Sequence, residues 1–121
     1  MITGLAGVTL WTDDLDGMFR FYHHTLGLPL HSQRPDFIAF QLGALRFNLG
    51  RHDQIRGPAR DPYRIMPHLA VVDIHGEYQR LLASGVEFIR PPQQEHWGGW
   101  VATFKDPDGN ILQFLQFPEP G

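Results

Sequence analysis

The chain has 121 residues, 42% apolar and 19% charged, with a net charge of −3 and no cysteine. That is enough for one compact domain with a core, and it leaves no disulfide framework, thiol nucleophile or cysteine metal site. The acidic balance weighs against nucleic acid as a partner. No apolar run approaches the roughly 18 residues that span a bilayer, and no basic-then-apolar leader opens the chain, so a cytoplasmic protein without a membrane partner is expected.

In chain order, residues 5–12 (LAGVTLWT) mix β-branched and aromatic residues and read as a strand. Asp13 or Asp14 then caps a helix whose apolar positions Leu15, Met18, Phe19, Tyr22 and Leu26 follow the helical repeat, and Gly27 stops it. Short strands are predicted at Leu28–Ser32, Phe37–Leu42 and Leu45–Leu49, the last two joined at Gly43-Ala44. The polar stretch Gly50–Arg64 is rich in Gly, Pro and Arg and reads as a solvated connection.

The order then repeats. His68–Val72 is a strand, Asp73 caps, and Ile74, Tyr78, Leu81 and Leu82 form a helical stripe that Gly85 ends. Val86–Ile89, Trp100–Lys105 and Ile111–Phe117 supply the remaining strands. The last two flank Lys105-Asp106-Pro107-Asp108-Gly109-Asn110, a turn in which Pro107 fixes φ and Gly109 supplies a positive φ. An Asp-[Leu/Ile] start and a Leu-Gly-type stop recur from Asp14 to Leu28 and from Asp73 to Val86. Internal duplication of a βαβββ unit follows, because a second four-stranded copy can cover the sheet face that one copy leaves open. The expected organisation is a single domain over 1–121, with module one at about residues 1–50, a linker at about 51–64 and module two at about 65–121.

Four stretches, in order, carry a family likeness. Asp14-Leu15, Phe21-Tyr22 and Leu26-Gly27-Leu28 resemble the opening motif of the vicinal oxygen chelate superfamily. That group holds glyoxalase I, extradiol dioxygenases, fosfomycin-resistance enzymes and bleomycin-resistance proteins. Met66-Pro67-His68-Leu69-Ala70 resembles the strand opening its second module, and Trp97-Gly98 with Asp106-Pro107-Asp108-Gly109-Asn110 resembles its close. The resemblance covers essentially the whole chain. It implies an α+β fold of two tandem βαβββ modules whose mixed sheets form a curved, cleft-bearing half-barrel, and a homodimer. It does not fix an activity, since unrelated functions share the scaffold.

Members with metal chemistry place His and Glu or Gln ligands on the first and last strand of each module. Carried over position by position, the first falls on Gly7, which has no side chain, and the second on Arg46, a cation that cannot ligate a metal. On the fifth strand His68 fits the motif, while counting from the helix cap puts Met66 in the ligand place. Gln113 stands where the family has Glu. His68 and Gln113 are thus the residues left for a divalent metal, and a metal-independent protein without cofactor is expected. His23 and His24 are adjacent on a helix and are expected to point apart, a poor metal pair.

Strand alternation sets Gly7, Thr9, Trp11, Arg46, Asn48, Met66, His68, Ala70, Ile111, Gln113 and Leu115 towards the cleft. That is an apolar and aromatic surface with a few convergent polar groups, the usual make-up of a small-molecule pocket. Arg46 suits a bidentate pair with a ligand carboxylate or phosphate, with Glu87 or Glu95 as alternative protein partners. Trp97 and Trp100 flank Gly98-Gly99, a flexible point that can lay an aromatic over a planar ligand. The expected ligand-binding set is therefore Thr9, Trp11, Arg46, Asn48, His68, Trp97, Trp100 and Gln113, for an aromatic or anionic small molecule. The alternatives are a glyoxalase-, isomerase- or dioxygenase-like enzyme with a metal on His68 and Gln113, and a partner-binding accessory module without a small-molecule ligand.

Overall fold

The computed structural model describes residues 1–119; the last two residues assigned to the second module, 120 and 121, lie outside that range. The chain divides into two compact units, Met1–Gly57 and Pro58–Gly121, and the division falls inside the stretch expected as a linker. Each unit is a βαβββ module with a four-stranded mixed sheet.

In the first unit the strands are β1 (Gly7–Thr12), β2 (Leu30–Arg34), β3 (Phe37–Leu42) and β4 (Leu45–Arg51), ordered β1-β4-β3-β2. β1 runs parallel to β4, and the hairpin partners are antiparallel. Asp14 caps helix α1 (Leu15–Phe19) by accepting from the Gly17 amide at 3.1 Å. The single long helix expected over Leu15–Leu26 is not formed. From Arg20 to Thr25 the backbone widens into a π-helix, with the Leu26 amide on the Phe21 carbonyl five residues back at 2.8 Å. The wider turn lets the consecutive Phe21 and Tyr22 both bury, Tyr22 against Phe47 with ring centres 5.2 Å apart. Gly27, at φ 83°, then closes the helix, and the Leu28 amide returns to the Tyr22 carbonyl. Met18, Tyr22, Phe40, Phe47 and Leu49 form the centre of this unit's core.

The second unit repeats the plan with β5 (His68–Ala70), α2 (Ile74–Ala83), β6 (Phe88–Gln94), β7 (Trp100–Lys105) and β8 (Ile111–Gln116), ordered β5-β8-β7-β6. Asp73 caps α2 through the Gly76 amide, as Asp14 does for α1, and Gly85 at φ 85° ends it. Strand β6 runs through Pro91-Pro92 and beyond the expected Val86–Ile89. It is an edge strand with two register shifts, which is where a sheet tolerates residues lacking an N–H. Leu81, Phe104, Leu112 and Phe114 centre the core, with the Phe104 and Phe114 rings 4.8 Å apart. Among the described residues no helix is long and apolar enough to cross a membrane.

Candidate functional site

Register decides which side chains share a face. In the first sheet Gly7, Arg46 and Gln41 lie on one level, Thr9, Asn48 and Ala39 on the next, and Trp11, Gly50 and Phe37 on the third. The four residues expected here, Thr9, Trp11, Arg46 and Asn48, do come together on one sheet face. Asn48 donates from Nδ2 to Thr9 Oγ1 at 3.2 Å. Arg46 donates from Nε to Gln41 Oε1, and Gln41 in turn donates from Nε2 to the Gly43 carbonyl at 2.7 Å. Gln41 went unnoticed in the sequence, although the Gly43-Ala44 hairpin already places it opposite Arg46. The carboxylates considered as partners for Arg46 are held elsewhere: Glu87 pairs with Lys105 at 3.2 Å and Glu95 with Arg90 at 2.7 Å.

The Trp11 ring lies directly over Gly50, where a β-carbon would sit 2.4 Å from its Cζ3. Phe37 tilts against it at 6.1 Å and His52 packs edge-on at 5.4 Å, yet 44% of Trp11 remains exposed. A glycine is therefore what leaves room for the indole against the strand. Around His52, at the end of β4, opens a groove of about 680 Å³ lined by Asp13, Asp36, Arg51, His52, Asp53 and Arg56. Arg51 pairs with Asp36 there at 3.4 Å, and Asp13 accepts from the Gly57 amide at 2.9 Å. The connection expected to be merely solvated thus folds back on its own unit.

In the second sheet His68 pairs with Gln113, and Gln113 with Thr103, on one level. This answers the register question: His68 is the residue opposite Gln113, and Met66 precedes the strand. His68 is exposed, which rules out a core role. Gln113 donates from Nε2 to Thr103 Oγ1 at 3.1 Å. Trp97 folds over Gly99, where a β-carbon would meet its Cζ3 at 1.9 Å, and alternation carries Gly99 to the face of Val101 and Thr103.

Trp100 does not join this group. It shares the opposite face with Ala102 and Phe104, the face that α2 covers, and the His75 ring packs on it at 4.7 Å. A one-residue offset in a strand reverses the face, and Val101 is the residue on the Gln113 side. His23 and His24 do not point apart either. On the π-helix their ring centres lie 5.1 Å apart, both rings against Phe19, and His23 Nδ1 is 3.0 Å from the Leu28 carbonyl.

A family model described as the Glyoxalase/Bleomycin resistance protein/Dioxygenase superfamily matches residues 4–114. The chain belongs to this superfamily. A solved glyoxalase/bleomycin resistance protein/dioxygenase from Nocardioides is 25% identical at a TM-score of 0.76, over 100% of this chain and 87% of that one. Among curated proteins, the uncharacterized protein YetH of Bacillus subtilis is 49% identical over 40 residues, 33% of this chain and 32% of its own length. An uncharacterized protein of Shewanella frigidimarina is 36% identical over 66 residues, 54% of this chain and 47% of its own length. Each match thus spans less than half of the curated relative.

At the four strand positions where members with metal chemistry are expected to hold a divalent ion, this chain carries Gly7 opposite Arg46 and His68 opposite Gln113. The Gly7–Arg46 pair offers no Lewis base, and Arg46 adds a fixed positive charge. Only the His68–Gln113 pair has neutral donors. Among the described residues no three His, Cys, Asp or Glu side chains group as a metal set. Gly7 is moreover closed to any side chain, since a β-carbon there would stand 2.6 Å from the Arg46 carbonyl oxygen. Gly7→Ala is accordingly expected to lower stability by about 1–3 kcal/mol, overriding alanine's better strand propensity. A urea midpoint that stays level or rises would show that β1 and β4 part freely.

Proposed function

We propose that this superfamily member binds a small molecule carrying a planar aromatic group and an anionic group, without a metal. The observation that carries the reading is one sheet face holding both a glycine-backed indole (Trp11) and a guanidinium braced by Gln41 (Arg46). An indole offers a flat apolar surface for stacking. A guanidinium with its Nε already engaged presents its Nη1–Nη2 edge to a carboxylate or phosphate. Asn48 and Thr9 add polar groups between the two, and Trp97, His68 and Gln113 supply a comparable set on the second sheet. Under this reading the protein works in the cytoplasm as a homodimer, with neither nucleic acid nor membrane as partner; sedimentation at two concentrations reads the dimer.

The test is calorimetric binding of aromatic carboxylates to chelator-treated protein. Arg46→Ala is expected to weaken binding about tenfold or more, as loss of a charged hydrogen-bond pair should, and Trp11→Ala to weaken it to a similar degree. Binding untouched by both substitutions overturns the site. Near-stoichiometric retention of a divalent metal, with activity that a chelator abolishes, would favour the enzyme alternative on His68 and Gln113.

A further inference from the structure

The Arg46 anchor and the Trp11 platform stand at a fixed separation. Trp11 lies over Gly50, and Arg46 and Gly50 belong to the same strand and the same face, four residues apart. At about 3.3 Å per residue their bases are about 13 Å apart. The level between them carries Ala39, buried and small, and the Asn48–Thr9 hydrogen bond. A ligand lying along the strand meets a cation at one end, an aromatic ring at the other, and the Asn48 and Thr9 polar groups between them.

Both ends are held in place. Gln41 ties the Arg46 Nε to the hairpin carbonyl of Gly43, which turns the remaining guanidinium edge in one direction. Phe37 and His52 flank the indole. The same spacing recurs in the second unit from different strands: Trp97 lies over Gly99, four residues before Thr103, which holds Gln113 at the level of His68. There the polar end is neutral.

Resting on the reading above, we infer that the first sheet selects ligands by length. Its substrate class is an elongated molecule with an aromatic group at one end and a terminal carboxylate or phosphate at the other, joined by an extended linker. Short aromatic acids reach Trp11 or Arg46 but not both. Gln41 is a positioning residue, acting through Arg46.

The probes are phenylacetate, phenylbutyrate and phenyloctanoate, each compared with its neutral primary amide, so that chain hydrophobicity cancels. Calorimetry is expected to give an acid-to-amide affinity ratio near unity for the shortest pair and about tenfold for the longest. In Arg46→Ala that preference disappears, and Gln41→Leu reduces it for the longest pair while leaving amide binding unchanged. A ratio equal at all lengths, with binding still sensitive to Arg46→Ala and Trp11→Ala, overturns length selection and leaves the binding site standing. Absence of binding by every acid and amide overturns both.

Discussion

Replacing Asp106 by alanine is expected to lower the unfolding free energy by about 2–4 kcal/mol. This carboxylate is 6% exposed and accepts three hydrogen bonds at 2.9 Å, from the Asp108 and Asn110 amides and from Asn110 Nδ2. Its own amide and carbonyl close the turn on Asn110 and Gly109. Truncation removes the acceptor and leaves three donors in a part-buried turn, so the cost includes their desolvation as well as the lost bonds. Asp106→Asn keeps one oxygen for the two amides and is expected to lose about half as much. Urea denaturation reads both. A loss below about 1 kcal/mol would show that Pro107 and Gly109 hold the turn without the carboxylate.

Gly50→Val is expected to be nearly as costly, at about 2–3 kcal/mol, although valine is the better strand former by about 1 kcal/mol. The new β-carbon would stand 2.4 Å from Trp11 Cζ3 and 3.1 Å from Phe37 Cδ2, so overpacking decides the sign. In a Trp11→Ala background the closest obstruction is gone and only the Phe37 contact remains. The two substitutions should therefore couple by about 1 kcal/mol or more, each relieving the other's cost. Simple additivity in the double-mutant cycle would mean that the indole does not rest on Gly50. Gly50→Val should also weaken aromatic carboxylate binding about as much as Trp11→Ala does, since the displaced ring can no longer serve as the platform.

Much of the fold was legible because its punctuation is local. Asp14 and Asp73 cap, Gly27 and Gly85 stop, and the Asp106–Asn110 turn closes the last hairpin where residue chemistry alone places them. The face shared by Thr9, Trp11, Arg46 and Asn48 was legible for a related reason: alternation propagates correctly once a hairpin fixes the register. Trp100 went to the wrong side because it was placed by its neighbours Gly98-Gly99 and not by its cross-strand partner Gln116. The π-helix left no sequence signal, because Leu15, Met18, Tyr22 and Leu26 satisfy an ordinary helical repeat; the additional burial of Phe21 is a tertiary demand. Gly50 and His52 looked like the start of a linker, and only the third dimension sets them beneath and beside an indole.

The tight approach of β1 to β4 at Gly7 makes a metal site hard to build in the first unit. Exchanging Arg46 for a carboxylate would supply one donor by a single change. At Gly7, any residue that brings a donor also brings a β-carbon against the Arg46 carbonyl oxygen, so the backbone must move before coordination can begin. A designer, or a lineage, seeking metal chemistry on this scaffold would reach it sooner by building from His68 and Gln113 than by rebuilding the first unit.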